Sequence, residues 1–159
     1  MNKRAASLLC GLACAAGLAA CTTAPIPKDY AGPLAAIQDS AIRESASRAQ
    51  FFYLSKIDGR SVANVLGETR RANQGRGFLM APAAYKRDLP ARAASLTLEA
   101  RVSYGAPIQE MMNASTVYST ERTLNVTLES NKTYVVKGIL SADKKDVWLE
   151  DAATGNRVE

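Results

Sequence analysis

The sequence has no histidine among its 159 residues. This absence excludes Ser-His-Asp and Cys-His catalysis, zinc sites built on imidazole, and the side chain that most often moves protons near neutral pH. Cysteine is also scarce, with three residues at positions 10, 14 and 21. Most hydrolase and metalloenzyme chemistry is therefore excluded by the residues that the chain lacks.

Charge is missing from residues 5–20, an apolar stretch rich in Ala, Leu and Gly. Lys3 and Arg4 precede this stretch and make the start of the chain basic. The stretch is shorter than the roughly 20 residues that a helix needs to cross a bilayer. The pattern therefore predicts a cleaved secretory signal over residues 1–20 rather than a permanent membrane span.

The residues Leu18-Ala19-Ala20-Cys21 resemble the lipobox of bacterial lipoproteins. The resemblance implies that the Cys21 thiol carries diacylglycerol, that the signal is cut between Ala20 and Cys21, and that the new amine receives a fatty acid such as palmitate. The alternative is an ordinary signal peptide with a chance cysteine. In lipoproteins an Asp after the lipidated cysteine favours the inner membrane, and this chain has Thr22. The resemblance therefore implies an outer-membrane lipoprotein that faces the periplasm.

Removal of the signal changes both the cysteine content and the charge. Cys10 and Cys14 leave with it and acylation consumes the Cys21 thiol, so no disulfide can form and the core alone must stabilise the fold. Lys3 and Arg4 also leave, which lowers the formal charge of +5 by two. Such weak, scattered charge predicts no nucleic-acid partner. We expect membrane attachment through the lipid on Cys21.

Residues 21–33 are predicted to be a flexible linker, and residues 34–159 a folded periplasmic domain. Pro25, Pro27 and Pro33 fix φ and lack backbone N–H groups, so regular structure is disfavoured before residue 34. Within the domain, residues 34–50 are predicted as a strand followed by coil.

Alternating apolar and polar residues predict short strands in most of the domain. The clearest are residues 95–104 and 124–128, and residues 133–140 are apolar enough to predict a strand buried on both faces. Many short strands with regularly spaced turn residues are typical of a mainly β protein, here an antiparallel β-sandwich. Trp148 is expected in its core or at the rim of the core.

Turn and helix signals separate these strands. Asp58-Gly59 and residues 154–156 are predicted as turns, and residues 131–132 as a hairpin turn. The polar residues 68–77 predict a loop, and Pro107 begins one predicted helical turn that ends at Met112.

The segment YVVKGIL…DVWLEDAATGNRV, residues 134–158, resembles the end of a transthyretin- or immunoglobulin-like periplasmic module. In such modules a Tyr-rich strand pairs with a Trp-containing strand. The region from Phe51 onwards also resembles β-rich lipoproteins of Gram-negative bacteria. This second resemblance implies a fold but no particular activity.

Three weak motifs carry no predicted chemistry. Ser141 and Lys144 have the spacing of penicillin-recognising enzymes but stand where a strand ends. Residues 74–77 are rich in glycine, yet no helical pattern follows them as a phosphate site requires. The carboxylates in turns match no calcium loop. We therefore expect no catalytic residue, metal or cofactor.

The sequence thus predicts a non-enzymatic binding or accessory subunit of an envelope assembly, with a protein partner in the cell envelope. The candidate contact residues are Gly75, Arg76, Gly77, Tyr85 and Arg87. Two alternatives remain open. One is a small glycan hydrolase that uses two carboxylates. The other is an inhibitor that blocks an incoming hydrolase with a protruding loop.

Overall fold

The structure is a computed structural model, and it describes residues 24–158. The predicted cleavage site at Ala20, the lipidation site at Cys21 and the sorting residue Thr22 lie outside the described residues. Residues 24–33 contain turns and bends but neither strand nor helix. Regular structure begins at Leu34.

Strands and two short α-helices alternate along the described chain. Its first half contains β1 (Leu34–Gln38), β2 (Ser40–Arg43), β3 (Arg48–Ile57), β4 (Arg60–Ser61), α1 (Val65–Ala72) and β5 (Lys86–Pro90). Its second half contains β6 (Ala93–Tyr104), α2 (Pro107–Met112), a 3-10 turn (Ala114–Thr116), β7 (Ser119–Thr127), β8 (Thr133–Leu140), β9 (Lys145–Asp151) and β10 (Arg157–Val158).

The strands form two sheets that face each other. The first sheet has the order β10-β9-β8-β1-β5, and the second has the order β2-β3-β6-β7 with β4 paired to β3. Neighbouring strands are antiparallel except β1 and β8, which run parallel. The prediction of a mainly β, antiparallel sandwich is confirmed.

The main core lies between the sheets and follows the alternation of the sequence. β6 directs Leu96, Leu98 and Val102 inward, and all three are fully buried. Phe52 of β3 reaches across the sandwich to β8, where a Cβ on Gly138 would overlap the Phe52 ring and lie 2.6 Å from its Cε1 atom. A larger residue at position 138 would therefore displace the aromatic ring.

A second, smaller core covers the outer face of the second sheet. There the β3 residues Phe51 and Tyr53 pack against Val65 and Leu66 of α1 and against Met80. β3 is consequently buried on both of its faces. This arrangement explains why its sequence is nearly continuous in apolar residues rather than alternating.

The predicted loop over residues 68–77 is wrong for residues 68–72, which complete α1. The helix begins after Asn64, whose side-chain oxygen accepts a hydrogen bond from the N–H of Gly67 at 3.0 Å. Val65, Leu66 and Thr69 are the helix residues that are buried. The helical pattern is short, and the polar residues that follow Thr69 obscure it in the sequence.

Three other predictions require correction. Residues 41–50 were expected to be coil but contain most of β2 and the start of β3, because both segments pair within the second sheet. β8 is not buried on both faces, since Ile139 is 40% exposed. Asn131 turns the chain with φ of 62°, yet no hairpin forms, because β7 and β8 belong to different sheets.

Other local predictions are confirmed. Asp58 and Gly59 have φ values of 49° and 77° and join β3 to β4, as a tight hairpin requires. α2 begins at Pro107. Trp148 lies half-buried at the rim, where the Arg157 guanidinium stacks 3.8 Å from the centre of its ring.

The two ends of the sandwich differ in what they carry. At one end, which we call the tether end, residues 24–28 line a cavity of 480 Å³ together with Ile57 and Arg92. At the opposite end, which we call the cleft end after the cleft described below, β3 begins at Arg48 beside the last residue of β6, Tyr104. The ten residues of β3 separate these ends by about 30 Å.

Candidate functional site

A cleft of 620 Å³ opens at the cleft end of the sandwich. One of its walls is α1 with the loop that follows it, and the other is the turn from β6 into α2. Met80 and Tyr104 give the cleft apolar surface, whereas Arg70 and Glu110 bring charge to it. The cleft therefore combines apolar contact area with polar groups of both signs.

Asn73 fixes both ends of the loop over residues 74–80. Its side-chain amide donates to the carbonyl oxygens of Thr69 at 2.8 Å and Ala81 at 2.9 Å, and its Oδ1 accepts from the N–H of Ala81 at 3.1 Å. The Thr69 hydroxyl accepts from the N–H of Ala83 at 2.9 Å. The base of the loop is consequently held by side chains that α1 positions.

Gly105 brings the loop and the second wall into direct contact. A Cβ at this position would lie 2.6 Å from the carbonyl carbon of Phe78 and 3.0 Å from the carbonyl oxygen of Leu79. The Gly105 N–H also donates to the carbonyl oxygen of Ser47 at 2.9 Å. Only a residue without a side chain permits this approach of two backbones.

Glu110 connects α2 to β6. Its carboxylate accepts hydrogen bonds from the Ser103 hydroxyl and from the N–H of Tyr104, the latter at 3.4 Å. It also forms ion pairs with Arg101 at 3.3 Å and Arg70 at 3.5 Å. Burial raises the pKa of this carboxyl, but these four partners lower it more, so that the pKa lies below its ordinary value of 4.5.

Large apolar side chains project into solvent beside the cleft, and we call them the apolar rim. They come from the loop after α1 and from α2, the two segments that meet at Gly105. Their exposed fractions are 58% for Phe78, 57% for Leu79, 50% for Ile108, 74% for Met111 and 79% for Met112. Exposed apolar side chains grouped in this way mark interaction surfaces.

Arginines flank the apolar rim. Arg71 is paired with Glu68 at 2.7 Å, and Arg70 shares the Glu110 carboxylate with another arginine. Among residues 24–158 no carboxylate lies within 4.0 Å of Arg76. The Arg76 guanidinium is thus available to an external anion.

The predicted contact residues fall into two groups. Gly75 and Gly77 line the cleft with φ values of 80° and 63°, and Arg76 stands between them. Tyr85 is half-buried, packs against the second core and is not among the residues that line the cleft.

Arg87 is not an exposed contact residue, and its prediction is corrected. It belongs to β5, where it is buried, forms an ion pair with Asp39 and donates to the carbonyl oxygen of Leu54 at 3.0 Å. Asp39 also accepts from the N–H groups of Leu54 at 3.1 Å and Val65 at 2.9 Å. The sequence concealed this role, because arginine is usually exposed unless a buried partner is present.

The sequence pattern predicted one helical turn at α2 but did not reveal α2 as part of the site. The signal was present in the adjacent residues Met111 and Met112, two large apolar side chains that the polar Asn113 follows directly. Two large apolar residues at the end of a short helix were not enough to reveal an exposed surface without the fold around them.

Carboxylates are sparse at the cleft. Of the described residues that line it, Glu110 alone carries one. Elsewhere, Glu99 and Glu121 are opposite each other on β6 and β7, beside a depression of 240 Å³, and the Tyr53 hydroxyl donates to Glu99 at 2.7 Å. Residues 24–158 contain no group of three His, Cys, Asp or Glu side chains placed to hold a metal ion.

Comparisons of the chain with protein-family models, curated proteins and solved structures find no match. In the part of the chain that the structure describes, neither helix is long and apolar enough to cross a bilayer. The geometry of the cleft end is therefore the basis for the functional proposal.

Proposed function

We propose that this protein is an outer-membrane lipoprotein, anchored through Cys21 and facing the periplasm, that acts as a non-enzymatic binding or accessory subunit of an envelope assembly. The observation that carries the binding role is the apolar rim beside the cleft. Leaving such side chains in water loses the free energy of burying them, about 1.5–3 kcal/mol for each large side chain that becomes fully buried. A protein partner that covers the rim would recover part of this free energy.

The construction of the cleft end also supports a binding role. Asn73 fixes the loop, Gly105 brings the two walls together, and Glu110 fixes α2 against β6. A preformed surface loses less conformational entropy on binding than a mobile one. The rim is therefore presented in a geometry ready for contact.

The binding role is tested by placing a photo-crosslinking residue at Phe78 in intact cells. We expect discrete crosslinked products from position 78. The matched control is Ile139, which is also exposed but lies on β8 in the other sheet. Equal products from both positions, or none from position 78, would contradict a partner at the cleft end.

The anchor is tested separately by Cys21→Ser. Without the thiol no diacylglycerol can be attached, so we expect the protein to leave the membrane fraction. Thr22→Asp should shift the acylated protein towards the inner membrane. Membrane retention of an unacylated Cys21→Ser protein would refute the anchor, and unchanged fractionation of Thr22→Asp would refute the sorting proposal.

The inhibitor is a second candidate function, because the loop over residues 74–80 is held at its base and carries Phe78 and Leu79 in exposed positions. In this case the purified protein should slow a peptidoglycan hydrolase, and Phe78→Ser should remove the inhibition. The hydrolase alternative depends on Glu99 and Glu121. If it holds, Glu99→Gln should abolish a measurable glycan-cleaving activity of the protein.

A further inference from the structure

We infer that the cleft end binds an acidic segment of a partner protein, with apolar side chains of that segment in the cleft and its carboxylates on Arg70 and Arg76. This inference rests on the proposed binding role and specifies the chemistry of the partner. The alternatives are the chain's own linker, a second copy of the chain, and a lipid surface.

The chain's own linker does not cover the cleft. Residues 24–28 line the cavity at the tether end, about 30 Å from the cleft along β3. After cleavage before Cys21, as proposed, three residues would precede Ala24, and fully extended they reach about 10 Å. The apolar rim is therefore left for a different occupant.

A second copy is disfavoured by charge. The side chains around the cleft include Arg70, Arg71, Arg76 and Arg101 against Glu68 and Glu110, so basic groups predominate. A symmetric contact places the same surface of each copy against itself and brings these guanidinium groups together. An acidic partner receives attraction where a second copy meets repulsion.

A lipid surface fits the shape and the orientation less well. The cleft is concave and has a volume of 620 Å³, within the range of about 300–1,000 Å³ that encloses discrete ligands. The linker that leads to Cys21 lies at the opposite end of the sandwich. The apolar rim therefore points away from the bilayer in which the proposed anchor is inserted.

A peptide segment satisfies both the apolar and the charged features. Met111 and Met112 have flexible, unbranched side chains that adapt to different apolar partners. The Arg70 side chain is 54% exposed at the edge of the cleft, and Arg76 lacks a carboxylate partner within residues 24–158. Guanidinium groups bind carboxylates with paired, charge-assisted hydrogen bonds.

The test uses the full chain from whichever cell fraction contains it, in phosphatidylcholine nanodiscs if that fraction is the membrane. Its probes are three fluorescent 16-residue peptides: a Leu/Glu amphipathic peptide, a Leu/Lys peptide of the same pattern, and a Ser/Glu peptide without apolar residues. Fluorescence anisotropy measures binding to each. Sedimentation with phosphatidylglycerol vesicles measures binding to an anionic lipid surface.

We expect the Leu/Glu peptide to bind at least about tenfold more tightly than the other two, since it alone offers both kinds of contact. Arg76→Glu and Phe78→Ser should each weaken the binding of the Leu/Glu peptide about tenfold. The matched controls Arg60→Glu, at the tether end, and Ile139→Ser should leave the binding of this peptide unchanged. Circular dichroism establishes that each variant is folded.

Equal binding of the Leu/Glu and Leu/Lys peptides would overturn the inference, as would equal effects of Arg76→Glu and Arg60→Glu. Vesicle binding that requires Phe78, without peptide binding, would assign the surface to lipid instead. If position 78 crosslinks to a protein in cells while the acidic preference fails, the inference is wrong and the proposed binding role stands. If position 78 also gives no crosslink, both fail.

Discussion

Arg87 and Asp39 form a buried ion pair at the point where the chain passes from β1 in the first sheet to β2 in the second. Burial raises the pKa of Asp39, while Arg87 and the N–H groups of Leu54 and Val65 oppose that rise. The carboxylate thus holds β3, α1 and β5 together by accepting from three donors, the N–H groups of Leu54 and Val65 and the Arg87 guanidinium. Its stabilising effect depends on having every partner in place.

Arg87→Met should destabilise the protein by about 3–5 kcal/mol, because it leaves the Asp39 carboxylate buried without its cation. Urea unfolding monitored by circular dichroism measures the free energy of unfolding. Arg92→Met is the matched control, since the Arg92–Asp58 pair is exposed and such pairs contribute about 0–1 kcal/mol. Equal losses of unfolding free energy in the two variants would show that the buried ion pair contributes no more to stability than the exposed one.

Gly105→Ala should destabilise the protein by about 1–3 kcal/mol, because the new methyl group would overlap the backbone of Phe78. Gly67→Ala is the control of the same chemistry. Gly67 lies in α1, and a Cβ there would lie 3.7 Å from the Oδ1 of Asn64, so we expect a gain in stability of about 0.4–1 kcal/mol. Thermal unfolding of both variants tests these two predictions. A Gly105→Ala protein as stable as the wild type would contradict the close approach of the two backbones.

At the scale of elements, α2 depends on tertiary contacts for its position. It has only six residues, and none of them is buried. Isolated helices of this length are not stable in water. The Glu110 carboxylate therefore supplies much of what holds α2, and with it three of the five residues of the apolar rim, against β6.

The lowered pKa of Glu110 makes this attachment sensitive to acid. A group whose pKa is lower in the folded state stabilises the fold above its unfolded pKa, near 4.5, and loses that contribution as the pH falls through the folded pKa. Glu110→Gln lacks this titration. The difference in unfolding free energy between the wild type and Glu110→Gln should therefore shrink as the pH falls below about 4.5.

Urea unfolding of both proteins between pH 7 and pH 3 measures this difference. Parallel curves over the whole range would show that the carboxylate makes no linked contribution to stability. Hydrogen exchange of α2 provides a local readout, and we expect α2 in Glu110→Gln to exchange faster than in the wild type at pH 7.

The elements also show which local patterns were readable. β6 and β7 were predicted because one face of each strand carries apolar side chains that enter the main core and the other carries polar side chains, which gives the alternation of period two. α1 was missed because its three buried residues occupy little more than one turn. For the cleft, Gly75, Arg76 and Gly77 were found from their turn chemistry, whereas Arg87 was misplaced because nothing in its neighbourhood indicates a buried Asp39.

At the scale of the whole molecule, the proposed attachment and the proposed binding surface lie at opposite ends of the sandwich. The linker packs at the tether end, and the apolar rim and arginines lie at the cleft end. This arrangement follows from β3 and β6, whose lengths fix the distance between the ends. A domain held by Cys21 would present its binding surface away from the bilayer.

This orientation is tested with a fluorophore on a single introduced cysteine. If the signal is cleaved and Cys21 is acylated as proposed, no other thiol remains to be labelled. Arg60→Cys marks the tether end and Met112→Cys the cleft end. With nitroxide-labelled lipid headgroups, we expect strong quenching at position 60 and little at position 112. Equal quenching at both positions would contradict the proposed orientation.

The sequence by itself determined the chemistry that is excluded and the class of fold. The absence of histidine removes whole families of mechanism whatever the fold, and alternation along a strand reports burial because neighbouring side chains point to opposite faces. These are local properties that a linear pattern can express.

Only the tertiary structure decided which residues meet. Phe78 and Gly105 are 27 positions apart in the chain, yet their backbones come into contact, and Asp39 finds Arg87 across 48 positions. Such contacts depend on the pairing order of the strands, which no local pattern encodes. For that reason the cleft, the apolar rim and the burial of Arg87 can be recognised only from the tertiary structure, which shows how the two sheets pack.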